Sequence, residues 1–406
     1  MLFLYKKKKK IWEKEMKKLI TTLLALCLMN SASFSDVKLG IIIGFTGPIE
    51  SLAPDMAAGA EAAIDEVNKS GSFSMGTVSA IKADSTCIDS SAATAAAERL
   101  ITSDKIKGIM GADCSGVTTA ILQQVAMANG IAMVSPSATS PALSTVEDNN
   151  LFFRTAPSDA RQGVVIAEVL MEKGLRNVAV SYVNNDYGKG LAASFEKNFT
   201  AAGGTITLSA PHEDDKGDYS AEAGALAQAG GDILVVMGYL NSGGKGIIQA
   251  SLDTGGFDQF FLPDGMIGDS LPKDIGPALN GSIGTLPGTD SPGMAKYEEI
   301  AKAAGFKAGP FSMESYDGAA LILLAMEATK STDSQVYKYA IDEIANAPGE
   351  VIYPGELGKA LDLLKAGKDI DYVGASAVEL VGGGESAGNY AILEVIDGKN
   401  VPVAYK

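Results

Sequence analysis

Val37-Lys38-Leu39-Gly40-Ile41-Ile42-Ile43-Gly44-Phe45-Thr46-Gly47-Pro48 begins as an apolar, β-branched run and ends in turn-forming residues. It reads as a buried strand over residues 37–43 that stops at Gly44. Residues 54–69 follow with Met56, Ala60, Ala63, Ile64 and Val67 at helical spacing, and Gly71 stops them. The same alternation continues outward: strands at 78–83, 106–110 and 131–134, with helices at 91–103 and 117–129. It resumes with strands at 178–183, 205–208 and 233–237, helices at 191–202 and 221–229, and a late strand at 390–396. Apolar strands alternating with helices predict an α/β protein whose parallel sheets are covered by helices on both faces. Ligands of such folds bind at the carboxyl ends of the strands, so the loops there carry the function.

The 406 residues are 46% hydrophobic and 20% charged, which excludes a disordered chain and makes two domains the expectation. Charge and turn composition put a first boundary near 154–158 and a second near 286–292. The net charge of −16 is uneven: residues 1–35 hold eight Lys against two Glu, so residues 36–406 carry −22. A body that acidic repels a phosphate backbone, and nucleic acid is not an expected partner.

Met16-Lys17-Lys18, the apolar run 19–29 and the small polar stretch 30–35 read as a signal peptide over residues 1–35, cleaved before Asp36. The run is shorter than the ~20 apolar residues of a membrane span. Five consecutive Lys, Lys6 to Lys10, precede it, so translation starts at Met1 with a long basic region or at Met16. Cys27 lies inside the apolar run behind Leu26, which is too large for a lipidation site, and lipid anchoring is not expected. After cleavage Cys87 and Cys114 are the only thiols left, and an exported chain favours one disulfide over two free thiols.

Enzyme signatures are poor. Gly382-Gly383-Gly384-Glu385-Ser386-Ala387 loosely matches a dinucleotide loop, but a strand follows it where a helix is required. Gly243-Gly244-Lys245-Gly246 lacks the hydroxyl residue after Lys that a phosphate loop needs. His212, the sole imidazole, sits in Pro211-His212-Glu213-Asp214-Asp215-Lys216 and reads as part of a solvated polar loop. No Cys/His cluster suits zinc, and no cofactor or metal is expected.

Four loops at strand ends look like a binding site instead. Gly111-Ala112-Asp113-Cys114-Ser115-Gly116 leads into a helix, either to present N–H groups and the Ser115 hydroxyl to an anion or only to cap that helix. Ser135-Pro136-Ser137-Ala138-Thr139-Ser140-Pro141 keeps its backbone out of regular pairing. Tyr187 follows the 178–183 strand, and Pro263-Asp264-Gly265 follows the apolar 260–262. Asp264 is either a turn former or a partner for an ammonium group.

Taken in order, Ile41-Ile42-Ile43-Gly44-Phe45-Thr46-Gly47-Pro48, Gly59, Ala63 and Asp65-Glu66-Val67-Asn68 resemble the leucine/isoleucine/valine-binding proteins, type I periplasmic substrate-binding proteins of ABC importers. Asp113-Cys114-Ser115, the 135–141 loop, Phe153-Arg154-Thr155, Asn185-Asp186-Tyr187-Gly188 and Tyr316-Asp317-Gly318-Ala319 extend the resemblance over the whole mature chain. It implies two Rossmann-like lobes with parallel sheets joined by three crossings: lobe 1 over 36–157 and 287–386, lobe 2 over 158–286 and 387–406, with the third crossing somewhere in 371–389.

It further implies a monomer that holds an amino acid, apolar or aliphatic, and delivers it to a membrane permease. Ser115 and the Thr139 N–H would hold the α-carboxylate. The Ser137 or Ala138 carbonyl, the Thr139 hydroxyl and Asp264, followed by Gly265, would hold the α-ammonium. Tyr187, Tyr239 and Tyr316 would line the closing face, and Cys87 and Cys114 correspond to a disulfide pair. Two departures bear on specificity: Asp264 stands where Glu is usual, and Leu52 stands where an aromatic often packs on the ligand. These leave room for an aromatic acid, an amide or another small carboxylate as the ligand. A sensory ligand-binding domain would continue into a span and signalling module, whereas this chain ends at Lys406.

Overall fold

The computed structural model describes residues 36–406 and, before them, only Met1, Trp12 and Met16. The apolar run, the cleavage site before Asp36 and Cys27 lie outside the described residues. The chain divides into Met1–Asp36 and a body, Val37–Lys406; the body is described here by itself.

The first strand forms as its composition demands. Strand β1 (Val37–Ile43) is buried at all positions but Lys38 and pairs in parallel with β2 (Val78–Asp84) and β3 (Ile109–Gly111). With β4 (Met133–Ser135) and β5 (Phe152–Arg154) they make a parallel sheet of order β2-β1-β3-β4-β5. The helix after β1, Ala53–Ser70, has Pro54 in its first turn and ends at Gly71, whose φ of 65° suits glycine. It packs on the Ser312–Thr329 helix at Gly59, where a Cβ would lie 2.2 Å from the Ser312 carbonyl oxygen. Fifteen of the eighteen residues of Ser312–Thr329 are buried, so this helix is covered on all sides. Two of its acids are satisfied: Asp317 accepts from the Tyr372 hydroxyl, the Ser376 hydroxyl and two backbone N–H groups, and Glu327 from Ser74 and Lys330.

The second sheet has order β14-β13-β10-β9-β8-β6-β7. Its parallel part is β6 (Asn177–Val183), β7 (Thr205–His212), β8 (Ile233–Met237), β9 (Phe260–Leu262) and β10 (Ile283–Pro287). The strand expected at 390–396 forms as β13 (Tyr390–Ile396), antiparallel to β10 and hairpinned to β14 (Lys399–Tyr405). Asp397 and Gly398, with φ of 49° and 72°, make the tight turn between them. A separate pair, β11 (Glu350–Ile352) and β12 (Ile370–Tyr372), completes the strands among the described residues.

The chain passes between the two large sheets after β5, after β10 and just before β13. Pro157 and Ser386 bridge two of these passages. Among the described residues no helix is long and apolar enough to cross a membrane.

One expectation is overturned. Strand β7 continues to His212, so the imidazole is not in a solvated loop; it is 1% exposed at a strand end. Its Nδ1 lies 2.8 Å from the Ser181 hydroxyl, and burial pushes its pKa down to about 4, against a smaller upward pull from Glu222. It is a neutral core histidine.

Candidate functional site

The carboxyl ends of β3 and β4 face those of β6, β8 and β9 across a narrow cavity. The first sheet and its helices contribute Ile49, Leu52, Asp113, Cys114, Ser115, Ser137 and Phe311, and the second contributes Tyr187, Tyr239, Asp264 and Gly265. The walls meet closely, and a water-sized sphere can be centred in only about 20 Å³ between them.

The first-sheet wall is built around Asp113. Its carboxylate accepts the Gly44 N–H at 2.6 Å and the Ser85 hydroxyl at 2.7 Å, so its lone pairs serve the protein rather than a ligand. Burial raises its pKa, and Ser85 and the N–H groups oppose the rise. The neighbouring Cys114 is disulfide-bonded to Cys87, which ties this turn to the end of β2. Ser115 opens the helix Ser115–Ile121, and its Oγ accepts the Ser140 N–H at 3.1 Å. Ser137 donates to the Asp113 carbonyl at 3.0 Å, which staples the 135–141 loop onto the same turn.

Arg154 holds that loop from below. The guanidinium is fully buried and donates to the carbonyls of Ala138 (3.1 Å) and Ser140 (2.9 Å), to Ser144, and to Glu385 at 2.5 Å. Ala138 is buried, with its carbonyl turned to this arginine, and Thr139 is buried with its hydroxyl unpartnered. Neither is among the residues lining the cavity.

The second wall carries one acid in a ring of neutral donors. The Tyr187 hydroxyl donates to Asp264 Oδ1 at 2.7 Å and accepts the Gly265 N–H at 3.2 Å. Its ring stacks on Tyr239 with centroids 5.3 Å apart, and Asn185 reaches the Tyr239 hydroxyl at 3.4 Å. Burial raises the Asp264 pKa, and Tyr187, Gln162 and the Gly265 N–H hold it down. Burial, reinforced by the Asp264 charge, pushes the Tyr187 phenol well above its usual range, so it stays a neutral donor.

The walls are latched together at the rim. Asn241 Oδ1 accepts from the Ser51 hydroxyl at 2.7 Å and from its N–H at 3.3 Å, and the Asn241 N–H donates to the Pro48 carbonyl at 3.0 Å. Ser140 donates to the Asp186 carbonyl, and Lys307 pairs with Asp269 at 2.6 Å. This is a closed arrangement.

Residues 36–348 match the family described as periplasmic binding protein. The chain is a member of the periplasmic binding protein family. The Leu/Ile/Val-binding protein homolog 1 of Brucella suis is 31% identical over 325 residues, 79% of this chain and 86% of the relative. A leucine-binding protein of Thermotoga maritima superposes with a TM-score of 0.77 at 22% identity, covering 91% of this chain and 98% of its own. A solute-binding protein of R. palustris in complex with 4-hydroxybenzoate superposes at 0.73 with 20% identity, covering 92% and 97%.

In this binding protein Leu52, Ser115, Ser137, Tyr187, Tyr239, Asp264 and Gly265 are gathered at the cavity. Tyr316 is not: its hydroxyl donates to Glu66 and its ring packs edge-on against Tyr297, inside the helix layer of the first sheet. Phe311 and Ile49 line the cavity unforeseen. Phe311 supplies an aromatic face where Leu52 does not, from the residue before the Ser312–Thr329 helix, held at a φ of 60°. Gly384, in the glycine-rich run, accepts the Arg154 N–H through its carbonyl and serves a passage between the sheets. A wider groove of about 840 Å³ beside Asp215, Lys216 and Lys245 is open to solvent. Its lysines are paired with Glu222 and Asp274, so it is a charged surface trough.

Proposed function

We propose that this protein is the exported substrate-binding component of an ABC importer and captures an apolar or aliphatic amino acid between its two lobes. Asp264 carries the reading. It is a buried carboxylate on the cavity wall, and the partners that ease its charge are a phenol, an amide and a backbone N–H. A ligand ammonium supplies the missing positive charge, and a ligand without one leaves the carboxylate under-compensated. Opposite it, the Ser115 helix start and the Thr139 loop suit the α-carboxylate. Leu52, Ile49 and Phe311 offer the apolar face for a side chain. The Leu/Ile/Val-binding name of the Brucella relative supports the same class.

In this reading lobe 1 comprises 36–157 and 287–386 and lobe 2 comprises 158–286 and 387–406. The closed, monomeric form is what a membrane permease receives. An aromatic acid, as held by the R. palustris protein, is the rival ligand.

The test is thermal stability of ligand-stripped protein against the amino acids and small aromatic acids. A ligand at ~100 times its dissociation constant adds about 2.7 kcal/mol. Asp264→Ala is expected to abolish the shift from amino acids. An unchanged shift, or a response only to acids without an amine, removes the ammonium role.

A further inference from the structure

The latched cavity has room for about one water molecule, so an amino acid is seated only if a wall yields. The polar walls are braced: the Ser115 hydroxyl bonds Ser140, Ser137 bonds the Asp113 carbonyl, and Tyr187 bonds Asp264. The apolar wall has open space behind it. Leu52 and Phe311 line the cavity, and the same two residues line a groove of about 620 Å³ between the two halves of the body. Both are buried, and they form the partition between the two hollows.

The two halves of the partition differ in freedom. Phe311 is fixed by its backbone, at a φ of 60° with its carbonyl accepting the Ser315 hydroxyl. Leu52 Cδ2 lies over Gly268, 2.9 Å from where a Cβ on that glycine would stand. With no side chain at 268, Leu52 is backed there by main chain and by the groove, and it turns aside by a change of rotamer. The groove beyond has an apolar floor, in which Ile267 and Leu393 are buried and Met313 partly so. Its charged members are Asp55, Lys273 and the Lys307–Asp269 pair, whose side chains are 74% and 81% exposed and mark the solvent mouth.

We propose that the ligand's side chain passes between Leu52 and Phe311 into this groove, which selects amino acids with a long, unbranched apolar side chain over short ones. The inference rests on the amino-acid reading above and names the kind of amino acid. With the α-ammonium at Asp264 and the α-carboxylate at the Ser115 helix start, the side chain points at Leu52, Ile49 and Phe311. A short or β-branched chain stops at the partition. A straight chain threads it and buries its further methylenes on Ile267, Leu393 and Met313, each tightening binding roughly fourfold.

Calorimetry of ligand-stripped protein with L-valine and with the L-2-amino acids of five, six and eight carbons tests this. Three added methylenes are expected to make the eight-carbon acid at least about 30-fold tighter than the five-carbon one. Met313→Trp fills the groove without touching the cavity, and is expected to remove that advantage while leaving the L-valine Kd within about twofold. An eight-carbon acid that binds no tighter than the five-carbon one, while L-valine binds, overturns the passage and leaves the amino-acid reading standing. A Met313→Trp protein that keeps the full advantage also overturns it. No heat from any of these amino acids overturns the amino-acid reading and this inference together. The wild-type series decides alone if the variant does not fold.

Discussion

Asn241→Ala separates closure from recognition, because Asn241 latches the rim without lining the cavity. Its side chain accepts two bonds across the cleft, from the Ser51 hydroxyl at 2.7 Å and the Ser51 N–H at 3.3 Å. The 3.0 Å bond from its own N–H to the Pro48 carbonyl survives the change. The shorter bond contributes about 1 kcal/mol and the longer about 0.5 kcal/mol, since the freed Ser51 groups are exposed and recover water. The closed form then loses about 1.5 kcal/mol, and if capture requires closure Kd rises about tenfold. The loss appears as faster dissociation, because the open form still meets the ligand normally. Calorimetry with L-leucine and stopped-flow release are the assays, with Ser51→Ala and the double variant completing a cycle. A Kd within about twofold of wild type, or no coupling between Ser51 and Asn241, refutes the latch.

Replacing Cys87 and Cys114 together by Ala opens a loop of sequence separation 27 and is expected to cost about 3.5 kcal/mol, read by urea unfolding. His212 has a pKa lowered from 6.5 to about 4, so the unfolded chain binds more protons in that window. Its stabilising effect is present above about pH 6.5 and is lost as pH falls towards 4, up to about 3 kcal/mol; NMR titration and melting of His212→Gln check this. Glu314, raised to about 8 by burial, has the opposite sign: its contribution is whole below about pH 4.5 and is lost as pH rises through 8. Glu314→Gln is expected to flatten the alkaline side of the stability curve, and an unchanged curve would rule out a neutral Glu314.

What the sequence discloses depends on how local the determinant is. β1 and the Ala53–Ser70 helix were legible because one keeps a continuous apolar run and the other a helical spacing ended by Pro and Gly. The end of β7 is hidden in the sequence because it is the sheet's edge strand, half-exposed along its length, with only His212 at its end buried. The Asp397-Gly398 signal between Ile396 and Lys399 was available and marks the closing hairpin. Phe311 is not legible, because it acquires its place at the cavity from residues far away in the chain. The resemblance implies Tyr316 at the cleft, but Glu66 takes its hydroxyl into the helix layer.

Arg154 gives the cleft a fulcrum. It grips the Ala138 and Ser140 carbonyls with one edge of its guanidinium and Glu385 with the other, while its backbone N–H holds the Gly384 carbonyl. The 135–141 loop and two of the passages between the sheets are thereby clamped together. In the capture proposed above, a swing of the second sheet would be felt directly at this loop, with no play between pivot and load. Loosening that clamp, at a side chain that never lines the cavity, would blunt capture by letting the lever slip.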